Sequence, residues 1–134
     1  MNPLICLIVE DDLDDQEIFM LAMREMADKF LCVFANNGFD ALDRLQRQEI
    51  RPDYVFLDLN MPRLNGLQCL EEIRKFPHMS EVPVVIFSTS SEKKFIDQAL
   101  QLGASAFITK PPSITHLTKA LKDFFYSYGN SNKS

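Results

Sequence analysis

Asp58 closes the apolar run Tyr54-Val55-Phe56-Leu57 and is followed by Leu59-Asn60-Met61-Pro62. Glu10-Asp11-Asp12 closes a second run, Leu4-Ile5-Cys6-Leu7-Ile8-Val9. Ser88-Thr89-Ser90 closes a third, and Thr109-Lys110-Pro111 a fourth. Three carboxylates, a hydroxyl and an ammonium at the ends of buried strands make a restrictive set. Crowded carboxylates do not all stay ionised without a counter-charge. Oxygen donors without a soft ligand favour a hard cation, Mg²⁺ above all, rather than zinc. Direct contact from Asp11 and Asp58, with Glu10 acting through water, suits an ion that keeps several waters. A carboxylate flanked by Mg²⁺, Lys110 and Ser88 has what phosphoryl transfer to an aspartate requires.

The elements that must carry these residues alternate along the chain. Residues 4–9, 30–35, 54–57, 82–87 and 104–108 read as strands. Helical spacing of apolar residues follows each. The first helix is expected over residues 14–27, with Ile18, Phe19, Ala22, Met23 and Met26 inward and Met20 off that face. The second covers 39–48 through Ala41, Leu42 and Leu45, and the third 67–75 through Leu67, Leu70 and Ile73, with Pro77 ending it. The fourth covers 92–102 through Phe95, Ile96, Ala99 and Leu100, closed by Gly103. The last starts at a Ser113 cap and runs through Leu117, Leu121, Phe124 and Phe125. Asp14 and Asp15 read as caps of the first helix, and Ser90 or Ser91 as a cap of the fourth. The first, third and fourth strands lack polar alternation, so both their faces are buried. That predicts an α/β fold, a parallel sheet with helices on both faces. Ligands of such sheets bind beyond the carboxyl ends of the strands.

The chain has 134 residues, 46% of them hydrophobic, which suits one domain with a proper core. Its net charge of −5 and the lack of a basic run speak against nucleic-acid binding. No stretch is long enough for a membrane span, and no signal peptide precedes the first strand, so a cytoplasmic location is expected. Cys6, Cys32 and Cys69 form no CxxC pair and read as reduced thiols. His78 and His116 are isolated and read as surface residues.

Taken in order, Val9-Glu10-Asp11-Asp12, Leu57-Asp58-Leu59-Asn60-Met61-Pro62, Asn65-Gly66, residues 83–89 and residues 103–111 resemble the receiver domains of two-component response regulators, of the chemotaxis-regulator-like single-domain kind. The resemblance covers about residues 4–125. It implies a five-stranded sheet of order 2-1-3-4-5, doubly wound and flavodoxin-like, with residues 1–127 as the receiver and 128–134 as a polar tail. It implies Asp58 as phosphoacceptor, Glu10 and Asp11 as the acidic metal pair, Asn60 lending a backbone carbonyl, and Mg²⁺ as cofactor. Lys110 falls at the phosphate partner, Ser88 at the switch hydroxyl and Phe107 at the aromatic switch position. The Lys110–Pro111 bond is cis in that family. Ser88 stands where Thr is commoner, and Phe107 where Tyr is commoner, so Phe107 has no hydroxyl to donate.

The function implied is phosphorylation of Asp58 by a sensor histidine kinase, followed by reshaping of the surface of the fourth helix, fifth strand and fifth helix for a downstream effector. The alternative is an intermediate carrier in a multistep phosphorelay, with a phosphotransfer protein as partner. Service to a photoreceptor kinase is a further variant. No output domain, nucleic acid or membrane is expected, and a homodimer is left open. Catalysis would extend only to the protein's own phosphorylation and dephosphorylation. Three other readings fare worse. A haloacid-dehalogenase-type phosphatase needs a second Asp where Asn60 stands. A flavodoxin or P-loop fold lacks its glycine-rich loop after Val9. A static scaffold has no need of a chemically complete set.

Overall fold

The computed structural model describes residues 2–131, with side chains to residue 128. Its elements are β1 (Leu4–Val9), α1 (Leu13–Ala22), β2 (Phe30–Ala35), α2 (Gly38–Gln46), β3 (Tyr54–Asp58), α3 (Gly66–Ile73), β4 (Val84–Ser88), α4 (Lys93–Gln101), β5 (Ala106–Thr109) and α5 (Ile114–Ser131). Short 3₁₀ turns at Arg24–Met26 and Pro77–Met79 follow α1 and α3. The strands form one parallel sheet in the order β2-β1-β3-β4-β5. The chain order reverses beside β1, as the doubly wound plan requires.

Burial follows from that order. Every residue of the inner strands β3 and β4 is buried, whereas the edge strands β2 and β5 are only partly covered. One side of the sheet packs Leu7, Val9, Val55, Leu57 and Ile86 against Ala41, Leu45, Leu70, Ile73 and Ala99 of α2, α3 and α4. The other packs Cys6, Ile8, Phe56 and Phe87 against Phe19, Ala22, Leu117 and Leu121 of α1 and α5. Phe19 is edge-on to both Phe56 and Phe87. The three cysteines are free.

Several local expectations shift. The first helix is shorter than residues 14–27 and tightens into the Arg24–Met26 turn, which keeps Met23 and Met26 buried. Ile18 and Leu100 lie outside the core, 39% and 50% exposed, because neighbouring turns of their helices already fill the inward stripe. Met20 is exposed, as its phase predicts. Asp12, not Asp14 or Asp15, caps α1, its Oδ1 accepting from the Asp15 N–H. The residue capping α4 is Glu92, and Ser90 Oγ accepts from its N–H at the long distance of 3.4 Å. Pro77 opens a 3₁₀ turn instead of ending α3. Ser113 caps α5 as expected, accepting from the His116 N–H. Gly103, at φ +100, follows Leu102, the C-cap of α4, where the left-handed conformation favours glycine.

The expected tail from residue 128 begins inside α5, which continues to Ser131. Tyr128 joins an aromatic nest with Tyr54 and Phe124, and this packing extends the helix. Residues 132–134 of the tail lie outside the described residues. No peptide bond among the described residues is cis, so Lys110–Pro111 is trans, the form an X–Pro amide prefers by about 0.5–1 kcal/mol.

Candidate functional site

Four strand ends deliver the site. Glu10 follows β1, and its N–H donates to Ala35 O at the end of β2. Asp58 is the last residue of β3, and the next N–H, of Leu59, donates to Phe87 O. Ser88 is the last residue of β4, and its carbonyl accepts from the Lys110 N–H at 2.6 Å. These backbone bonds lock Asp58, Ser88 and Lys110 to one another independently of their side chains.

The side chains then converge. Lys110 Nζ lies 3.0 Å from Glu10 Oε1, 3.3 Å from Asp58 Oδ1 and 3.3 Å from Asp15 Oδ2. The ammonium also sits 5.1 Å over the Phe87 ring. Glu10 and Asp58 are nearly inaccessible, at 3% and 6%, while Asp11 is exposed. Oxygens of Glu10, Asp11 and Asp58 come within 4.8 Å of one another. Octahedral Mg²⁺ holds its oxygens at about 2.0–2.1 Å, so opposite ligands stand about 4 Å apart. Neighbouring ligands of an octahedron stand about 3 Å apart, so the cluster would draw together around such an ion. Its donors are all hard oxygens, so the set fits Mg²⁺.

The electrostatics ask for that charge. Burial, then the neighbouring Asp58, push the Glu10 carboxyl up to about 7, although Lys110 and the Asp12 N–H pull it down. Burial likewise raises Asp58 despite the adjacent Lys110 and the Asn60 N–H. Burial pulls the Lys110 ammonium down, but Asp58, Glu10 and Asp15 outweigh it and the pKa is raised. One ammonium thus serves three contacting carboxylates, with Asp11 close behind.

Asn60 is exposed, and its N–H reaches Asp58 Oδ1 at 3.4 Å. Ser88 is fully buried, and its Oγ accepts from the Ser90 N–H at 3.0 Å. Phe107, in the middle of β5, is half-buried against the α2–α3–α4 side of the sheet. The sequence-predicted residues Glu10, Asp11, Asp58 and Lys110 thus gather at one rim, Ser88 lies at the adjoining strand end, and Phe107 is set back from it.

Two participants escaped the sequence reading. Asp15 reaches Lys110 from α1. Gln16 Nε2 donates to Glu10 O at 2.8 Å and to Asn36 Oδ1 at 2.9 Å, pinning the loop that presents Glu10. Gly66 makes the close passage of α3 possible: a Cβ there would stand 2.5 Å from Asp58 O.

A family model for the response regulator receiver domain matches residues 6–122. The chain is 33% identical over 139 residues to the protein-glutamate methylesterase/protein-glutamine glutaminase of Treponema pallidum, an alignment covering 98% of this chain and 34% of that one. The chain thus spans about a third of the length of that relative. It is 26% identical over 125 residues to the response regulator Rcp1 of Synechocystis, covering 90% and 85% of the two chains. The Mn²⁺-bound crystal structure of Rcp1 superposes with a TM-score of 0.81 at 25% identity, over 92% of each chain. The phosphorylated cyanobacterial phytochrome response regulator RcpA gives 0.84 at 27% identity, again over 92% of each chain.

Proposed function

This chain belongs to the response regulator receiver family, and from that membership we propose that it accepts a phosphoryl group on Asp58 from the phosphohistidine of a sensor histidine kinase and passes the change to a partner surface. The observation that carries the reading is the Asp58 carboxylate: it is buried at a strand end, 3.3 Å from Lys110 and within 4.8 Å of Glu10 and Asp11 oxygens.

One oxygen of Asp58 attacks phosphorus while the P–N bond to the donor imidazole breaks. The imidazole nitrogen keeps the bonding pair and takes up a proton. Lys110 offers its ammonium to the phosphoryl oxygens and neutralises part of their charge. Mg²⁺ held by Glu10, Asp11, Asp58 and the Asn60 carbonyl would add positive charge at those oxygens and relieve the repulsion along the rim. The crystal structures of Mn²⁺-bound Rcp1 and of phosphorylated RcpA support both parts.

The Ser88 hydroxyl accepts from Ser90, which leaves its own proton to donate. A phosphate on Asp58, bringing about −1.5 to −2 charge, would draw that hydroxyl in. Phe107 would follow into the vacated volume by packing alone. The surface of α4, β5 and α5 would then favour one of two arrangements, by as much as the phosphate's differential affinity for them.

Labelling with a small acyl phosphate and Mg²⁺ tests the assignment. Wild type becomes labelled and Asp58→Asn does not; normal labelling of Asp58→Asn refutes it. Lys110→Ala keeps some label but fails to change partner affinity on phosphorylation.

A further inference from the structure

Lys110 meets three carboxylates, and only two of them belong to the candidate metal set. Its Nζ donates to Glu10 Oε1 at 3.0 Å and to Asp15 Oδ2 at 3.3 Å, with Asp58 Oδ1 a further 3.3 Å contact. Glu10, Asp11 and Asp58 bring oxygens to a common point, and Asp15 is not among them. A divalent ion at that point draws on the charge of Glu10 and Asp58 and repels the ammonium beside it. Asp15 is then the one contacting carboxylate whose full charge still serves Lys110.

Local structure explains why Asp15 is free to do this. It is the third residue of α1, after the Asp12 cap. A carboxylate at that position commonly folds back onto the N–H of the capping residue. Here the Asp12 N–H already donates to Glu10 Oε2 at 3.2 Å. Asp15 therefore reaches across to the loop after β5. Its side chain is 41% exposed against 15% for Lys110, so it grips the ammonium from the side nearer solvent.

We infer that Asp15 is a positioning residue, which acts through Lys110 to hold the ammonium at Asp58 while a metal ion occupies the neighbouring carboxylates. It touches neither the phosphoryl group nor the metal. The inference rests on the reading of Asp58 as phosphoacceptor.

The experiment follows the rate of labelling by acetyl phosphate at saturating Mg²⁺ in wild type, Asp15→Ala, Asp15→Asn, Lys110→Ala and the double variant Asp15→Ala/Lys110→Ala. Mg²⁺ binding is titrated separately. Asp15→Ala slows labelling about three- to tenfold, the scale of a half-exposed charge-assisted hydrogen bond. Asp15→Asn, which keeps an acceptor oxygen, slows it less. Mg²⁺ affinity falls several-fold at most, as for a nearby charge outside the ligand set, and saturating Mg²⁺ keeps that loss out of the rate. In the Lys110→Ala background, Asp15→Ala changes nothing further, because residues that act through one another are non-additive. An undiminished effect in that background, or a labelling rate that further Mg²⁺ restores, overturns the inference. So does normal labelling of both Asp15 variants while wild type is labelled and Asp58→Asn is not. Wild type that takes no label overturns the reading of Asp58, and this inference with it.

Discussion

Glu10 Oε1 accepts a hydrogen bond from Lys110 Nζ at 3.0 Å across 100 positions of sequence, yet burial and Asp58 still push the Glu10 carboxyl from its usual 4.5 up to about 7. The folded state therefore holds a proton that the unfolded chain releases. The stability this group contributes is present below about pH 4.5 and is lost as pH rises through about 7. Metal binding needs the carboxylate. Mg²⁺ affinity should then climb with pH and level off above about 7, falling about tenfold per unit below it. Calorimetric Mg²⁺ titrations and melting temperatures across this range check both slopes; an affinity independent of pH contradicts them.

Gly66→Ala should be costly although the site is small. The new methyl group would meet Asp58 O at 2.5 Å and Leu59 Cα at 2.9 Å, both backbone atoms that have no rotamer to yield. A loss of about 3 kcal/mol in urea unfolding is expected, with weakened Mg²⁺ binding because Asp58 itself is displaced. Unchanged stability would show that the β3–α3 passage has slack.

Arg74 clasps the opposite end of the molecule. Its guanidinium donates to Met79 O, Val82 O and Gly103 O, tying α3 to the approach to β4 and the end of α4. Arg74→Ala takes the guanidinium from three carbonyls, of which Met79 O keeps the Val82 N–H, and should cost about 2–4 kcal/mol in chemical denaturation, with labelling of Asp58 unaffected in the remaining folded protein. Arg74→Lys should recover only part of that, since an ammonium is a point donor rather than a fork. Full recovery with Lys would show that charge alone matters.

Much of this is legible in the sequence. The apolar runs of β1, β3 and β4 are unbroken, and each ends in a residue with chemistry, so strand ends and rim followed from local pattern. Asp15 was not legible, because an acid in the first turn of a helix looks the same whether it complements the helix dipole or reaches another element. Only the position of Lys110, far along the chain, separates the two. Ile18 and Leu100 failed for a related reason: helical spacing admits more apolar residues to a face than the neighbouring strands have room to cover. The last turns of α5 look like polar tail in sequence, although Tyr128 follows Phe124 at helical spacing and its ring packs tilted against it.

Asp58 pairs with Phe87, and Leu57 with Ile86, along the β3–β4 ladder. Successive strand residues face opposite sides, so slippage of β3 by one position would carry the carboxylate away from Lys110 and drive an apolar side chain into the acid rim. No misassembled sheet can imitate the native pocket. The fraction of a preparation that takes up a ligand there is therefore a census of correctly assembled molecules, which neither helix content nor a compact radius supplies.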